Sequence, residues 1–405
     1  MKGKHLLAAG SVRDMAKALS ATALAAVVCV AGGLGGQAMA QPAFQAPVRH
    51  ATEARPNDIV AGDFDGDGWM DVTLSHLATS GAGTAITFFG QPGGTFGDLA
   101  FSTIGTWARG LAPGDLNGDG LLDWAATCDG RTYLGYNLGA RSFQSSSWIP
   151  GGNQHGIVVA DLNGDARQDI AGTYIDTSAG KRQAVVNYGQ AGGGFSSPFA
   201  YTVGIAPDGI VAADLNADGL ADLATANQTT VSVLRANAGG GFAPHVDYPK
   251  GRSGWGTGLA AADLNRDGHL DLVGLNSDDA SLSVLYGRGN GTFTGATVYA
   301  TTPDPREIVC ADFDRDGWID IAVSAGNQLD IYSGATGGFV RRPGIPLSAP
   351  AGLAAADLNG DGWIDLAATE YADARFAVLF NSLPEPFTLS LLALGGLALM
   401  RRRHA

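Results

Sequence analysis

The residues best suited to do chemistry are the carboxylates of one nine-residue stretch, Asp63 to Asp71, which reads DFDGDGWMD. Acids at positions 1, 3, 5 and 9, with glycine at position 6, can place several oxygens around one point. Hard oxygen ligands in that number suit a divalent cation, and calcium is the natural candidate. Four acids crowded in one loop also repel, by roughly 1 kcal/mol per close pair even in water. The stretch therefore predicts a calcium-binding loop.

Six related loops follow this one at nearly even spacing. The intervals between their first acids are 52, 46, 53, 49, 49 and 45 residues. A period near 50 is typical of a propeller or a solenoid, and the 3.6-residue periodicity of helical repeats is missing. The seven first acids are Asp63, Asp115, Asp161, Asp214, Asp263, Asp312 and Asp357.

Within each repeat, four short apolar or alternating runs surround the acidic loop in a fixed order. In the fourth repeat they are residues 210–213, 223–226, 231–234 and 242–248, which predict four strands. A glycine-containing turn and then a phenylalanine follow the third strand, and we expect this turn to close a hairpin and the phenylalanine to anchor the outer strand. These phenylalanines are Phe96, Phe143, Phe195, Phe242, Phe293 and Phe339.

The seventh repeat ends near residue 380 without an outer strand. Residues 44–47, which read FQAP, look like the FAP at 242–244 and the FSSP at 195–198. The mature N-terminus is therefore predicted to pair into the last blade. Such a join closes the ring and leaves no long exposed sheet edge.

The loops, which read D-x-[DN]-x-D-G-x-x-D in six of the seven repeats, resemble FG-GAP/VCBS repeats over roughly residues 44–381. That family includes the calcium-binding blades of integrin alpha-subunit propellers. The resemblance implies an all-β, seven-bladed β-propeller with a calcium loop between the first two strands of each blade. Side chains at positions 1, 3, 5 and 9 and the carbonyl at position 7 are the implied ligands. By loop, the side chains are Asp63, Asp65, Asp67, Asp71; Asp115, Asn117, Asp119, Asp123; Asp161, Asn163, Asp165, Asp169; Asp214, Asn216, Asp218, Asp222; Asp263, Asn265, Asp267, Asp271; Asp312, Asp314, Asp316, Asp320; and Asp357, Asn359, Asp361, Asp365.

These loops are not expected to bind equally, although up to seven calcium ions are possible. Asparagine at position 3 keeps an oxygen but sheds a charge, so the first and sixth loops, with four aspartates each, should bind best. The third loop has Ala166 where the others have glycine, and a positive φ there costs about 1 kcal/mol or more. We expect that site to be the weakest or empty. The alternative for the whole set is metal-free acidic turns; an EF-hand would need a glutamate at position 12 and flanking helices.

The first forty residues have the pattern of a Sec-type signal peptide. Four basic residues precede an apolar run at 18–30, and Ala38-Met39-Ala40 stands before Gln41. The body, residues 41–383, is therefore predicted to be exported, and Cys29 to leave with the signal. Cys128 and Cys310 lie in separate repeats and are predicted to be buried free thiols.

Residues 384–405 carry a second targeting pattern: Pro384, Glu385 and Pro386, an apolar run at 387–400, and three arginines. They resemble the PEP-CTERM sorting signal of exopolysaccharide-producing Gram-negative bacteria. The resemblance implies recognition by an exosortase, a temporary inner-membrane anchor and a final place at the cell surface or in the matrix. Arginines on the inside agree with the positive-inside rule, although 14 apolar residues are fewer than the roughly 20 that span a bilayer. A disordered apolar end is the alternative.

The loops that lead into each first strand vary sharply between repeats, and in a propeller they surround the central channel on the face opposite the acidic loops. Tryptophan and arginine there are common in contact hot spots and in sugar-binding surfaces. In the alternative interpretation, the tryptophans pack and the arginines pair with acids. The candidate ligand-face residues are Arg55, Trp107, Arg109, His155, Arg252, Trp255 and Arg306.

The composition narrows the function. A net charge of −14 with only 16% charged residues argues against nucleic acid as a partner. The histidines of the body match no triad or metal spacing, no G-x-S-x-G elbow occurs, and a carboxylate that holds calcium is a poor general acid. We therefore expect a non-catalytic adhesion protein that binds extracellular polysaccharide or a surface protein, with membrane contact only through the C-terminal run. A purely structural envelope component and a polysaccharide lyase or hydrolase are the alternatives.

Overall fold

A computed structural model describes residues 42–78, 82–128, 130–150, 156–176, 180–252, 254 and 258–382. Within these ranges 29 strands form seven antiparallel sheets, and no residue is helical. The predicted all-β, seven-bladed propeller is confirmed. The predicted signal peptide and sorting signal, including the apolar run at 387–400, lie outside the described residues. In the part that is described, no helix has the length and apolarity needed to cross a membrane.

Each blade is a sheet whose strands follow one another from the propeller axis outward. Blade one contains β2 (Pro56–Gly62), β3 (Asp71–His76), β4 (Gly83–Gln91) and β5 (Thr95–Ile104). Blade two contains β6 (Leu111–Gly114), β7 (Asp123–Cys128), β8 (Arg131–Asn137) and β9 (Phe143–Pro150), and blade three contains β10 (Ile157–Ala160), β11 (Asp169–Asp176), β12 (Lys181–Asn187) and β13 (Phe199–Thr202). Blade four contains β14 (Ile210–Ala213), β15 (Asp222–Ala226), β16 (Thr230–Leu234) and β17 (Val246–Pro249), and blade five contains β18 (Leu259–Ala262), β19 (Asp271–Asn276), β20 (Ser281–Leu285) and β21 (Thr297–Ala300).

The last two blades depart slightly from this plan. Blade six contains β22 (Pro305–Ala311), β23 (Asp320–Ala325), β24 (Gln328–Ala335) and β25 (Gly338–Arg341), and the short β26 (Ile345–Pro346) also pairs with β24. Blade seven contains β27 (Pro350–Ala356), β28 (Asp365–Glu370) and β29 (Arg375–Leu379), and β1 (Val48–Ala51) pairs with β29 as its outer strand.

The core lies between blades rather than within them. The second strands, such as β3, β19 and β28, are buried along their whole length, whereas outer strands such as β17 and β21 are largely exposed. Apolar side chains from two neighbouring blades share each cluster, as Val231 and Val233 of blade four do with Leu272 of blade five. Full burial of one such side chain is worth about 1.5–3 kcal/mol. Packing against the next blade therefore stabilises each sheet.

Buried hydroxyl groups also join consecutive blades. Thr173 Oγ1 accepts from the N–H of Gly156 at 3.1 Å and donates to the carbonyl of Asp208 in the next blade at 2.7 Å. Ser324 Oγ similarly accepts from the N–H of Glu307 at 3.0 Å and donates to the carbonyl of Ala351 at 2.6 Å. These bonds join the inner parts of consecutive blades and help to satisfy backbone groups near the axis.

In blades three, four, five and seven the outer strand begins later than the sequence suggested. Phe242 forms only an isolated bridge, with Ala236, and β17 starts at Val246. The predicted start of that strand at Phe242 is wrong because Pro244 has no N–H to donate and interrupts the ladder. The same bridge-then-strand pattern occurs in blade seven, where Phe44 bridges to Asn381 and β1 begins after Pro47.

Blade seven therefore contains strands from both ends of the described chain. The register pairs Val48 with Val378 and Ala51 with Arg375. Arg49 Nε lies 2.9 Å from Glu370 Oε2, and the Glu370 side chain is fully buried. Burial alone would raise the pKa of Glu370, but hydrogen bonds from Arg49, Ser348 and Arg375 outweigh it and hold that pKa below its usual value.

The two cysteines of the described body, Cys128 and Cys310, are both buried and form no disulfide with each other. They lie in blades two and six, as the sequence predicted. Burial raises the pKa of the Cys310 thiol to about 12. A thiol with so high a pKa is unreactive and acts as a small apolar group.

Candidate functional site

All seven acidic loops lie between the first and second strands of their blades. The first loop, for example, follows the end of β2 at Gly62 and stops where β3 begins at Asp71. Position 9 of every loop is thus the first residue of a second strand. All seven position-9 aspartates are completely buried, although most other loop acids are half-buried or exposed.

The position-9 aspartate braces its blade. Asp71 Oδ2 accepts from the N–H of Phe64 at the loop start, and its Oδ1 accepts from the N–H of Gly90 at the end of the third strand, both at 2.7 Å. The second of these bonds recurs in all seven blades at 2.7–2.8 Å. The spacing of the acids predicted only that these residues bind a metal ion. Their bracing role could have been inferred from the sequence, because an aspartate stands at the start of every second strand.

The other acids of each loop are held by the loop's own backbone. In the second loop, Asp115 Oδ1 accepts from Gly118 N–H at 2.7 Å and from Asp119 N–H at 3.1 Å, and its Oδ2 accepts from Gly120 N–H at 2.8 Å. Asp119 in turn accepts from the N–H of Leu121 at 2.9 Å. The carboxylates are therefore fixed in place by backbone donors before any ligand arrives.

The two loops with four aspartates fit a calcium ion. Oxygens of Asp63, Asp65 and Asp71 all lie within 4.8 Å of one another, and the same holds for Asp312, Asp314 and Asp320. Because calcium binds oxygens at 2.3–2.6 Å, two of its ligands stand at most about 5 Å apart. Burial, with neighbouring carboxylates as a smaller cause, raises the pKa of Asp71 to about 7 and that of Asp320 to about 8. A bound cation would offset that unfavourable burial of charge.

These two loops differ in one contact that the sequence did not reveal. Arg141 reaches from blade two into the first loop, where its Nε lies 2.7 Å from Asp65 Oδ2 and its Nη1 2.7 Å from Asp98. Its guanidinium also covers the ring of Phe89 at 5.1 Å. Arg141 lies 76 residues from Asp65 in the chain, so no local pattern pointed to the pair. The sixth loop has no such arginine on its position-3 carboxylate among the described residues.

The third loop carries the backbone strain that its alanine implied. Ala166 has a φ of 65°. However, position 4 is also left-handed, and Ala217, Arg266 and Arg315 hold φ values of 60°, 62° and 56° there in the fourth, fifth and sixth loops. Strain of about 1–2 kcal/mol per residue therefore does not single out the third loop. The contact that does distinguish it is an ion pair between Arg167 and the loop acid Asp165.

Neighbouring loops touch through these same positions. The guanidinium of Arg315, at position 4 of the sixth loop, lies 3.9 Å from the ring centre of Trp363, at position 7 of the seventh. Arg266 covers Trp318 in the same way at 5.2 Å. In these two loops the position-7 side chain thus packs against the preceding loop.

The opposite face brings together three of the predicted ligand residues. Trp107, Arg109 and Arg306 line one axial cavity of about 820 Å³, whereas Arg55 and Arg252 are exposed outside it. Trp107 is 45% exposed. Arg306 forms an ion pair with Asp304 at 2.8 Å, as the alternative interpretation expected. His155 and Trp255 lie outside the described residues.

A sequence model of the FG-GAP-like repeat matches residues 115–172, 214–274, 271–323 and 312–368, which together make up more than half of the chain. The chain belongs to the FG-GAP-like repeat family. Six of the seven acidic loops fall within the matched FG-GAP-like ranges, and the first loop precedes them. No curated protein matches the chain.

Solved structures with the same architecture include proteins that differ in function. A lectin from Agrocybe aegerita, described as recognising non-reducing terminal N-acetylglucosamine, is 18% identical with a TM-score of 0.52, over 82% of this chain and 86% of that one. The periplasmic gluconolactonase PpgL of Pseudomonas aeruginosa is 15% identical with a TM-score of 0.53, over 73% of this chain and 86% of that one. At such identities the likeness shows the propeller fold alone.

Proposed function

We propose that this chain is an exported, calcium-stabilised propeller without catalytic activity that binds extracellular polysaccharide or a surface protein. The observation that carries the proposal is the division between its two faces. Seven nearly identical acidic loops occupy one face, and an exposed tryptophan beside an axial cavity occupies the other. A repeated loop suits a structural ion, and a varied face suits a specific ligand.

In this proposal calcium is held by the aspartates and asparagines of the loops, with up to seven ions. The three-carboxylate clusters of the first and sixth loops support it, as do the raised pKa values of their buried acids. Calcium would supply positive charge where the chain has gathered negative charge. The sixth loop is the best candidate, because Arg141 already occupies Asp65 in the first.

Export and attachment follow from the two chain ends. Residues 1–40 would engage the Sec machinery, and removal of this segment would leave residues 44–51 to close the ring as the outer strand of blade seven. Residues 384–405 would be read by an exosortase after a transient stay in the inner membrane of a Gram-negative bacterium. The support for these steps is the pattern of residues in the sequence.

The exposed indole of Trp107 favours a polysaccharide ligand, because an indole can stack on the face of a pyranose. The test is binding of the folded, calcium-loaded protein to the producer's own exopolysaccharide. Trp107→Ala should weaken binding at least tenfold, and Phe101→Ala should not change it. Phe101 is a matched control because it is an exposed aromatic residue, at 59%, on an outer strand.

An unchanged affinity of the Trp107→Ala variant would refute this ligand face. If the unaltered protein binds neither polysaccharide nor a surface protein, the structural-component alternative is favoured instead.

A further inference from the structure

The residue five positions before each acidic loop distinguishes two blades from the other five. Blades one and six carry Asp58 and Glu307 at this position. At Gly156 and Gly352 a side chain would meet the next blade, because a Cβ on Gly156 would lie 2.5 Å from the carbonyl oxygen of Asp208 and one on Gly352 would lie 2.7 Å from the Cα of Asp58. The five glycines are Gly110, Gly156, Gly209, Gly258 and Gly352. Asp58 and Glu307 therefore stand at a position where, at Gly156 and Gly352, packing against the next blade leaves no room for a side chain.

Both acids line the axial cavity, as does Asp208 of blade four. At about 820 Å³ the cavity has the size of a small-molecule site. Its wall is a ring of aliphatic side chains, one from the innermost strand of every blade, of which Ile59 and Ile210 are examples; members of this ring are 2–6% exposed. An enclosed apolar wall with a few convergent polar groups is the usual form of a site for an organic ligand.

Asp58 and Glu307 form no ion pair with an arginine or lysine among the described residues. Asp58 accepts from the N–H groups of Ile59 at 2.8 Å and Leu111 at 2.7 Å. Glu307 accepts at Oε1 from the N–H of Ile308 at 3.1 Å, and its Oε2 has no donor in the described part of the chain. Glu307 is half-buried and borders the cavity, so its Oε2 is available to a ligand there.

The arginines that line the cavity do not neutralise these acids. Arg306 pairs with Asp304, Arg315 lies over Trp363 at the other end of the axis, and the exposed Arg109 forms no ion pair among the described residues. Burial raises the pKa of Asp58 to about 7, and burial together with the Asp58 and Asp208 carboxylates raises that of Glu307 well above its ordinary value. A cation bound beside the two acids would stabilise their ionised forms, so the cavity favours a ligand that carries positive charge over a neutral one.

We propose that the axial cavity binds a small organic cation, an alkylammonium group held by Glu307 and Asp58 with its carbon chain against the aliphatic ring. A bare metal ion would make no contact with the aliphatic wall, and a neutral sugar would not stabilise the ionised carboxylates. The site is independent of polymer binding at the rim, since that binding is tested at Trp107 and this site at Glu307.

The test compares n-hexylammonium with 1-hexanol, which has the same carbon chain without the charge. Titration calorimetry is done on the full chain with saturating calcium, so that the acidic loops do not take up the amine. The ammonium compound should bind at least tenfold tighter than the alcohol, and Glu307→Gln should abolish that difference. Asp98→Asn should keep it, because the Asp98 side chain is 76% exposed on an outer strand.

Equal affinities for amine and alcohol, or no binding of the amine at millimolar concentration, would overturn the proposal. So would a preference for the amine that survives in a folded Glu307→Gln protein. If that variant does not fold, the comparison of the two ligands on the unaltered protein still decides the matter. Loss of polymer binding by the Trp107 variant has no bearing on this result.

Discussion

The two faces of the propeller differ in how closely their residues repeat from blade to blade. On the acidic face, the bond from position 9 to the third strand has the same length, 2.7–2.8 Å, in all seven blades. On the other face, the position five residues before each loop changes from glycine to Asp58 or Glu307. Groups that every blade needs for folding are repeated, and groups that differ between blades are free to meet a ligand. Stability should therefore depend on the acidic face and binding on the other.

Removal of calcium should lower the stability of the protein more than any of the substitutions below. Each site that is saturated a hundredfold above its dissociation constant adds about 2.7 kcal/mol to the free energy of unfolding. Several sites together should raise the melting temperature by roughly 10 °C or more. Thermal unfolding with calcium and with a chelator measures this shift, and magnesium is the control. An identical melting temperature in the two conditions would remove the structural role of calcium.

Asp320→Ala should be the most damaging single change on the acidic face. It leaves the buried N–H groups of Phe313 and Gly334 without an acceptor, at a cost of about 2–4 kcal/mol in the free energy of unfolding. The loss should persist in chelator. Asp314→Ala is the matched comparison, because Asp314 lies in the same oxygen cluster without that brace. Its destabilisation should largely disappear in chelator, and equal losses in chelator would contradict the bracing role.

The stabilising effect of calcium should increase with pH. Burial raises the pKa of Asp71, Asp169 and Asp271 to about 7 in the folded chain, above the unfolded value of about 3.9. Without calcium, these groups favour the fold at low pH, and their contribution is lost as the pH rises from about 4 through 7. The calcium-dependent rise in melting temperature should thus be several degrees larger at pH 8 than at pH 5. A rise that is the same at both pH values would contradict this.

Arg141→Ala should have the smallest effect, and in the opposite direction. Without its ion pair, Asp65 is free to bind calcium, so the affinity of the first loop should increase about two- to fivefold, in line with about 0.5–1 kcal/mol for a partly exposed pair. A calcium titration followed by the fluorescence of Trp69, at position 7 of that loop, measures this. Arg342→Ala is the control, since Arg342 contacts Ser333. Weaker calcium binding would show instead that Arg141 supports the site.

The architecture could be predicted from the sequence because each repeat contains the local signals for its own strands and turns. Alternating runs and glycine turns specify four strands in each blade, and seven copies specify the ring. The late start of the strand after Phe242 was missed because a proline three residues from a hairpin weakens the ladder without removing the strand. Local signals were enough for the order of the elements but not for their limits.

Several other features that the sequence did not reveal cross between blades. The pairs of Arg141 with Asp65 and of Arg315 with Trp363, and the electrostatic effect of Asp58 on Glu307, depend on the curvature of the ring. Asp58 and Glu307 stand in blades one and six, and only the closed ring turns both toward one axis. No spacing pattern along the chain can reveal such neighbours, although the replacement of glycine at these two positions was visible.

The strand pairing in blade seven determines which face of the propeller a tethered chain would expose. Ser382 donates to the carbonyl of Ala43 at 3.2 Å, and Asn381 donates to Asp365 of the seventh loop at 2.7 Å. The chain thus enters and leaves the ring at one point on its rim, on the side of the acidic loops. A tether through either end would turn that side toward the surface that holds it. The mouth of the axial cavity, with Trp107 at its edge, would then point away from that surface.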